Sequence, residues 1–241
     1  VKKSLFVTVL LTITCGMLWI LFLAATRRSP VLDAGEMVRV DGGVWTDPAQ
    51  ADHQIVVQPF LIDKYEVTNA QFARFRPEHT FPEQEEDFPI TNVTWEEAAA
   101  YAKWAGKQLP TAAEWQLAAG AAEGRRYPWG KEKRLPNLKD AKECQKVGSY
   151  RENYSPAGCY DMEGNVWEWT SDNCPISNIV ASAQESPAVA PTQKVLKGGW
   201  RQVKKSVVPA AVHEQITLDM QERLPNVGFR CVRRLQPGQN Q

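Results

Sequence analysis

The sequence is poor in histidine. Only His53, His79 and His213 occur in 241 residues, and the nearest two are more than twenty positions apart. A centre built from clustered imidazoles is therefore excluded. There is no excess of charge of either sign: Lys+Arg and Asp+Glu are both 28. That argues against a basic nucleic-acid binder and against a polyacidic tail. No low-complexity linker, charge block or internal repeat interrupts the chain. No cysteine falls between Cys174 and Cys231, so any chemistry needing paired thiolates in that interval has no material to use.

What is present reads as a globular protein. Hydrophobic residues make up 43% and charged residues 23% of the chain, too apolar for disorder to dominate. Nine Trp, sixteen Pro and fifteen Gly predict a compact fold with much turn-built backbone.

Leu5 to Ala25 carries no charge over 21 residues, with Lys2-Lys3 before it and Arg27-Arg28 after it. As a helix it reaches about 31 Å, enough for a hydrocarbon core of roughly 30 Å. It is longer than the apolar region of a cleavable signal peptide, and Phe22-Leu23-Ala24 fits the cleavage consensus poorly. The expectation is an uncleaved N-terminal transmembrane helix. Cys15 lies mid-span, without the small residues that precede a lipidated cysteine. The flanking basic residues nearly cancel as an orientation signal. The very short N-terminal tail favours a single pass through the inner (cytoplasmic) membrane, with the domain facing the periplasm or exterior. The predicted organisation is a tail and anchor over 1–29, a tether over 30–36, one domain over 37–235 and a polar tail over 236–241.

Cys144, Cys159, Cys174 and Cys231 lie outside the span, an even number in a compartment that permits disulfides. Three full pairings are possible, and four buried thiols are the alternative. Cys144 and Cys174 flank the central motif and form one candidate bridge.

Three helix starts are explicit. Thr68-Asn69-Ala70-Gln71, Thr94-Trp95-Glu96-Glu97 and Thr111-Ala112-Ala113-Glu114 each read as a capping box, the hydroxyl accepting from the third amide onward and the Gln or Glu reaching back. Gly106 and Gly120 are the expected stops of the second and third. Short apolar runs between turn residues, such as Gln54–Val57 and Gly228–Val232, read as strands. The fold class is α+β.

Blocks spread through the exterior part carry a resemblance. They include Gly42-Gly43-Val44-Trp45, Asp63-Lys64-Tyr65-Glu66-Val67-Thr68-Asn69, Leu109-Pro110-Thr111-Ala112-Ala113-Glu114-Trp115 and Tyr127-Pro128-Trp129-Gly130. The longest is Gly158-Cys159-Tyr160-Asp161-Met162-Glu163-Gly164-Asn165-Val166-Trp167-Glu168-Trp169-Thr170, followed by Lys197-Gly198-Gly199-Trp200-Arg201 and Gly228-Phe229-Arg230-Cys231. In this order they resemble the formylglycine-generating-enzyme family, the sulfatase-modifying-factor domain. The resemblance implies a C-type-lectin-like fold with little regular secondary structure, usually with bound calcium.

The family is chemically divided, so the resemblance alone does not settle function. Its oxidases hold copper on two cysteines, soft ligands suited to a cuprous ion. Those positions fall on Val203 and Val208, so no copper and no formylglycine formation are expected. An iron-dependent branch needs a His-x3-His helical domain that this chain lacks, so no iron is expected. A third branch acts on a siderophore chromophore in the periplasm.

For calcium, the resemblance implies a side-chain oxygen of Asp161, the Gly164 and Val166 carbonyls and the Glu168 carboxylate. Positions 164, 166 and 168 can share one side of an extended strand, and such hard oxygens suit the ion. The competing reading pairs Glu168 with a buried Arg such as Arg230. A second calcium site implied by the family falls on Asn137 and the Leu138 carbonyl, with Asp140 as a possible substitute ligand.

Trp115, Trp129, Trp167 and Trp169 are read as core rather than as a saccharide platform. A saccharide ligand is possible but unsupported. His213 has no visible nucleophile or second base beside it and reads as structural. The sequons at Asn92 and Asn153 lie inside the family blocks and read as coincidence. The functional expectation is a membrane-anchored, non-catalytic binding, assembly or sensing module with an envelope protein partner. The alternative is a periplasmic maturation enzyme of other chemistry.

Overall fold

The computed structural model describes residues 35–46, 54–130, 144–173, 193–203, 206–209 and 216–235. The strands in chain order are β1 (Met37–Val40), β2 (Gly43–Thr46), β3 (Gln54–Val57), β4 (Phe60–Asp63), β5 (Gly164–Asn173), β6 (Gln193–Val203), β7 (Ser206–Pro209), β8 (Ile216–Asp219), β9 (Val227–Gly228) and β10 (Val232–Arg234). Among the described residues three short α-helices stand between β4 and β5: α1 (Asn69–Phe75), α2 (Trp95–Trp104) and α3 (Ala112–Ala118).

All three helices begin where their capping boxes predict. Thr68, Thr94 and Thr111 are the N-caps, and in each the third residue's side chain bonds back to the cap amide. Seven to ten residues is too short for a helix to be stable alone. Each cap satisfies two amides that would otherwise be lost, and packing supplies the remainder. In α2 the buried face is Ala98, Tyr101 and Ala102. In α3 nearly every residue is buried, Trp115 completely.

β4 is the central strand of a small antiparallel sheet, with β1 on one side and β10 on the other. Phe60 and Ile62 of β4 are fully buried and pack with Val40, Trp115, Leu117, Met162 and Val232 in the main core. A second apolar centre joins α1 and α2 through Phe72, which stacks on Tyr101 at 5.8 Å and meets Phe229 edge-on at 6.4 Å. β2 and β3 form a separate two-stranded ribbon. The larger sheet runs β7-β6-β5-β9, with β8 also paired to β6. The contact between β5 and β9 is parallel, whereas β5 and β6 are antiparallel with a register shift between Gly164 and Trp167. This is a mixed α and β fold carried mostly by strands.

Gln54–Val57 forms β3 as its composition predicts. Gly228–Val232, expected as one strand, splits into the end of β9 and the start of β10. Phe229, Arg230 and Cys231 lie between them, all fully buried, and their main chain serves other segments: the Phe229 carbonyl accepts from Val67 and the Cys231 carbonyl from Asp63. Trp115, Trp167 and Trp169 are buried as core, while Trp129 is half-buried and stacks on Tyr127.

Among the described residues no helix is long and apolar enough to cross a membrane. Leu5 to Ala25 lies outside the described residues, as do the tail over 236–241, Asn137, Leu138, Asp140 and His213. Cys144, Cys159 and Cys231 are free thiols; the candidate bridge to Cys174 involves a residue outside the described set.

Candidate functional site

The expected ligand block sits where β5 begins. Asp161 has φ +56° and Asn165 φ +50°, a left-handed backbone to which Asp and Asn are better suited than most side chains. These two bends turn the chain into β5 through the irregular stretch between Gly164 and Trp167. Asn165 Oδ1 accepts from the Gln145 amide at 2.9 Å, and Asp161 Oδ2 accepts from the Gly148 amide at 2.6 Å. The same loop is held by Asn153, whose Nδ2 donates to the Glu163 carbonyl at 2.7 Å. Gly199 of β6 packs against this segment with φ +75°, and a Cβ there would collide with the Trp167 indole.

Glu168, three residues on, is fully buried against Arg230. Its Oε2 accepts from Arg230 Nε and its Oε1 from Arg230 Nη2, both at 2.8 Å. Trp115 Nε1 adds a third bond to Oε2, also at 2.8 Å. Arg230 spends its remaining donors on the carbonyls of Tyr160, Asp63 and Lys64. The Glu168–Arg230 pairing, the competing reading from sequence, is therefore present, and it ties β5 to the segment before β10.

The structure brings in a carboxylate that the motif does not contain. Glu66, between β4 and α1, is 1% exposed, and neither carboxylate oxygen has a hydrogen-bond partner from another residue. Asp161 Oδ1 is equally buried and unpartnered. Burial, then the charges of Asp161 and Glu168, push the Glu66 pKa well up, against the pull of Arg230. Burial also raises Asp161 to about 6, against the Gly148 amide and Arg230. Three carboxylates thus share one guanidinium. Such an excess is relieved either by protons or by a cation.

The orphaned oxygens of Asp161 and Glu66 are hard donors of the kind calcium takes. Glu168 is less free than the motif suggests, since both its oxygens already accept from Arg230. Among the described residues, no three Asp, Glu, His or Cys side chains form a group that could hold a metal ion. An ion here would draw the rest of its shell from carbonyls, such as those of Gly164 and Val166, and from water. Glu66 stands in the Asp63–Asn69 block, two residues before the Thr68 cap, and nothing in the local sequence marks it as buried.

The described thiols are poor nucleophiles. Burial pushes Cys159 up to about 11 and raises Cys144 and Cys231 as well. Cys231 sits beside the buried Lys107–Asp63 ion pair, and its amide donates to Asp63 Oδ2 at 3.0 Å. Val203 and Val208 lie on the paired strands β6 and β7, where Val203 pairs with Ser206 and Val208 with Arg201.

Residues 24–235 match the sulfatase-modifying factor enzyme 1-like domain. The chain belongs to this family. It is 33% identical to the serine/threonine-protein kinase pkn1 of Chlamydia pneumoniae, over 87% of this chain but 39% of that protein. It therefore spans about two fifths of the kinase relatives' length. To the formylglycine-generating enzyme of Streptomyces coelicolor it is 30% identical, over 86% of this chain and 89% of that enzyme. The solved structure of PvdO from Pseudomonas aeruginosa superposes with a TM-score of 0.63 at 19% identity, covering 86% of this chain and 97% of that one. That likeness concerns the fold. The family fold is thus retained, with valine at positions 203 and 208.

Proposed function

We propose that this protein is a non-catalytic, membrane-anchored member of the sulfatase-modifying factor family that binds, assembles or senses a component of the cell envelope. The observation that carries this reading is valine at positions 203 and 208, on a backbone that otherwise keeps the family's motif blocks. Valine can neither bind a cuprous ion nor form a thiolate. The buried thiols of Cys159 and Cys231 offer no replacement. The match to 39% of a protein named as a kinase supports a role as one module among others. Leu5 to Ala25 supplies the anchor in this reading, through the inner membrane with the domain on the periplasmic or exterior side, beside an envelope protein partner.

Calcium in this reading is structural. Asp161, with the Gly164 and Val166 carbonyls, would hold the ion, and Glu168 would contribute only the acceptor capacity that Arg230 and Trp115 leave. Bound there, the ion supplies positive charge to a buried set of carboxylates and ties the entry of β5 to the loop before it. A second ion at Asn137 and Leu138 belongs to the same proposal.

The test is direct. Full-length protein, incubated with copper and a cysteine-bearing sulfatase peptide, is expected to yield no aldehyde by mass spectrometry, and to capture an envelope protein when cross-linked in cells. Aldehyde product would overturn the non-catalytic reading. An alternative is a periplasmic maturation enzyme of the same family with other chemistry; it predicts a modified partner, visible as a mass change dependent on this protein.

A further inference from the structure

A cavity of about 420 Å³ opens between α1, α2 and the loop that carries Arg223, away from the Asp161 segment. Its size is that of a small-molecule site. Two hydrogen-bonded groups of side chains line it. In the first, Arg76 Nη1 and Arg223 Nη1 both reach Glu97, at 3.3 and 2.5 Å. Glu97 is held in place because it also caps Thr94, and Arg223 donates once more to the Asn92 carbonyl at 2.9 Å. Asn92 itself has φ +56°, a left-handed bend that Asn tolerates better than most side chains. Each guanidinium carries five donors. Both side chains are partly exposed, 39% and 50%, and both line the cavity.

In the second group, Asn69 Nδ2 donates to the Glu85 carbonyl at 2.9 Å. Its Oδ1 is therefore the acceptor toward His79 Nε2 at 3.2 Å. That bond places the imidazole proton on Nε2 and leaves Nδ1 as an acceptor. Burial lowers the His79 pKa, consistent with a neutral ring. Phe72 packs edge-on to that ring at 5.4 Å and Phe81 lies at 5.7 Å, giving the cavity an apolar wall. Glu78 and Glu85 also line it.

We propose that this cavity is a binding site for a free α-amino acid with an apolar or aromatic side chain. The carboxylate takes the spare donors of Arg76 and Arg223, in the planar geometry that guanidinium favours. The ammonium is met by the carboxylates of Glu78 and Glu85. The side chain lies against Phe72 and Phe81. A purely anionic ligand would face three carboxylates, Glu78, Glu85 and Glu97, against two guanidiniums, and a purely cationic one would face the guanidiniums. A zwitterion meets both signs. This deepens the sensing reading, on which its biological meaning rests. The ligand measurement, however, succeeds or fails independently of the aldehyde and cross-linking tests.

The experiment is calorimetric titration of the full-length chain in mild detergent with L-phenylalanine, N-acetyl-L-phenylalanine and L-phenylalaninamide. L-phenylalanine is expected to bind saturably, with a Kd in roughly the micromolar to millimolar range. Loss of either charge should weaken binding about tenfold or more. Arg223→Gln, at a half-exposed position, and Phe81→Ala should each weaken it comparably while leaving the circular dichroism unchanged. No saturable binding up to roughly 10 mM, equal binding of either charge-blocked analogue, or an Arg223→Gln variant that binds as tightly as the parent would each overturn the proposal.

Discussion

Replacing Arg230 is expected to be among the most damaging single changes in the domain. Arg230→Met keeps the bulk of the side chain and removes five hydrogen bonds: two to Glu168 and one each to the carbonyls of Tyr160, Asp63 and Lys64. Glu168 then keeps only Trp115 as a donor and remains buried beside Glu66. Breaking one side of a buried pair costs about 3–5 kcal/mol, and the carbonyls of Tyr160 and Asp63 each lose a donor, at about 1 kcal/mol where water cannot reach them; the Lys64 carbonyl still accepts from the Tyr160 amide at 2.8 Å. The sum is comparable to the whole stability of a domain, about 5–15 kcal/mol, so this variant can fail to fold. Arg230→Lys supplies the graded measurement. It keeps the charge but cannot reproduce the two parallel bonds or reach all three carbonyls, so it should lose about 2–3 kcal/mol. Glu168→Gln should cost less than Arg230→Met, because Glu66 and Asp161 remain to face the guanidinium. Urea denaturation followed by tryptophan fluorescence reads all three as midpoints, with thermal shifts of roughly 2–4 °C per kcal/mol. An Arg230→Met protein within about 1 kcal/mol of the parent, or a Glu168→Gln variant less stable than Arg230→Met, would refute the role assigned to this pair.

Calcium and pH are linked at the same place. Asp161, raised to about 6, and Glu66, also raised by burial, hold more protons folded than unfolded. Their contribution to the stability of metal-free protein should therefore increase as pH falls through 6 and be fully present below the unfolded value near 3.8. Calcium competes for the same oxygens, so the rise in melting midpoint on adding calcium over chelator should be several degrees at pH 7.5 and fade by pH 5, as calorimetry can follow. Asp161→Asn should weaken the calcium response and raise the midpoint of the metal-free protein; a calcium response unchanged by that substitution would rule out Asp161 as a ligand. Gly199→Ala should destabilise by about 2 kcal/mol or more, since the added carbon meets the Trp167 indole at positive φ; a midpoint within 1 °C of the parent in differential scanning calorimetry contradicts the packing. Protease added to intact spheroplasts should remove residues 30–241 if Leu5 to Ala25 spans the membrane as proposed, and complete protection until lysis would invert the topology.

Much of the fold was legible because its signals are local. A capping box is four consecutive residues, and the hydrogen bonds it encodes form within one turn, so Thr68, Thr94 and Thr111 mark helix starts without knowledge of anything else. Tryptophans at 115, 167 and 169 are too large and apolar to leave exposed, so their burial follows from composition and position. The motif blocks named the family for the same reason: each is a contiguous string, read in order.

The chemistry of the candidate site was only half visible. Asp161 and Glu168 stand in one block, and both readings of Glu168 could be stated from sequence. Which one holds depends on Arg230, 62 residues away, because a carboxylate's partner is decided by what packing brings within about 3 Å. Glu66 stood in a family block but carried no sign of burial, since an acidic residue shortly before a helix cap is ordinarily solvated. It joins Asp161 and Glu168 because β4 and β5 deliver their ends to the same buried place. The apolar wall of the cavity and the Arg76–Glu97–Arg223 cluster arise likewise from three separate stretches of chain. Periodicity and capping are properties of neighbours in sequence, and the sequence alone determined them. Charge balance, desolvation and cavity shape are properties of neighbours in space, and only the tertiary structure decided those.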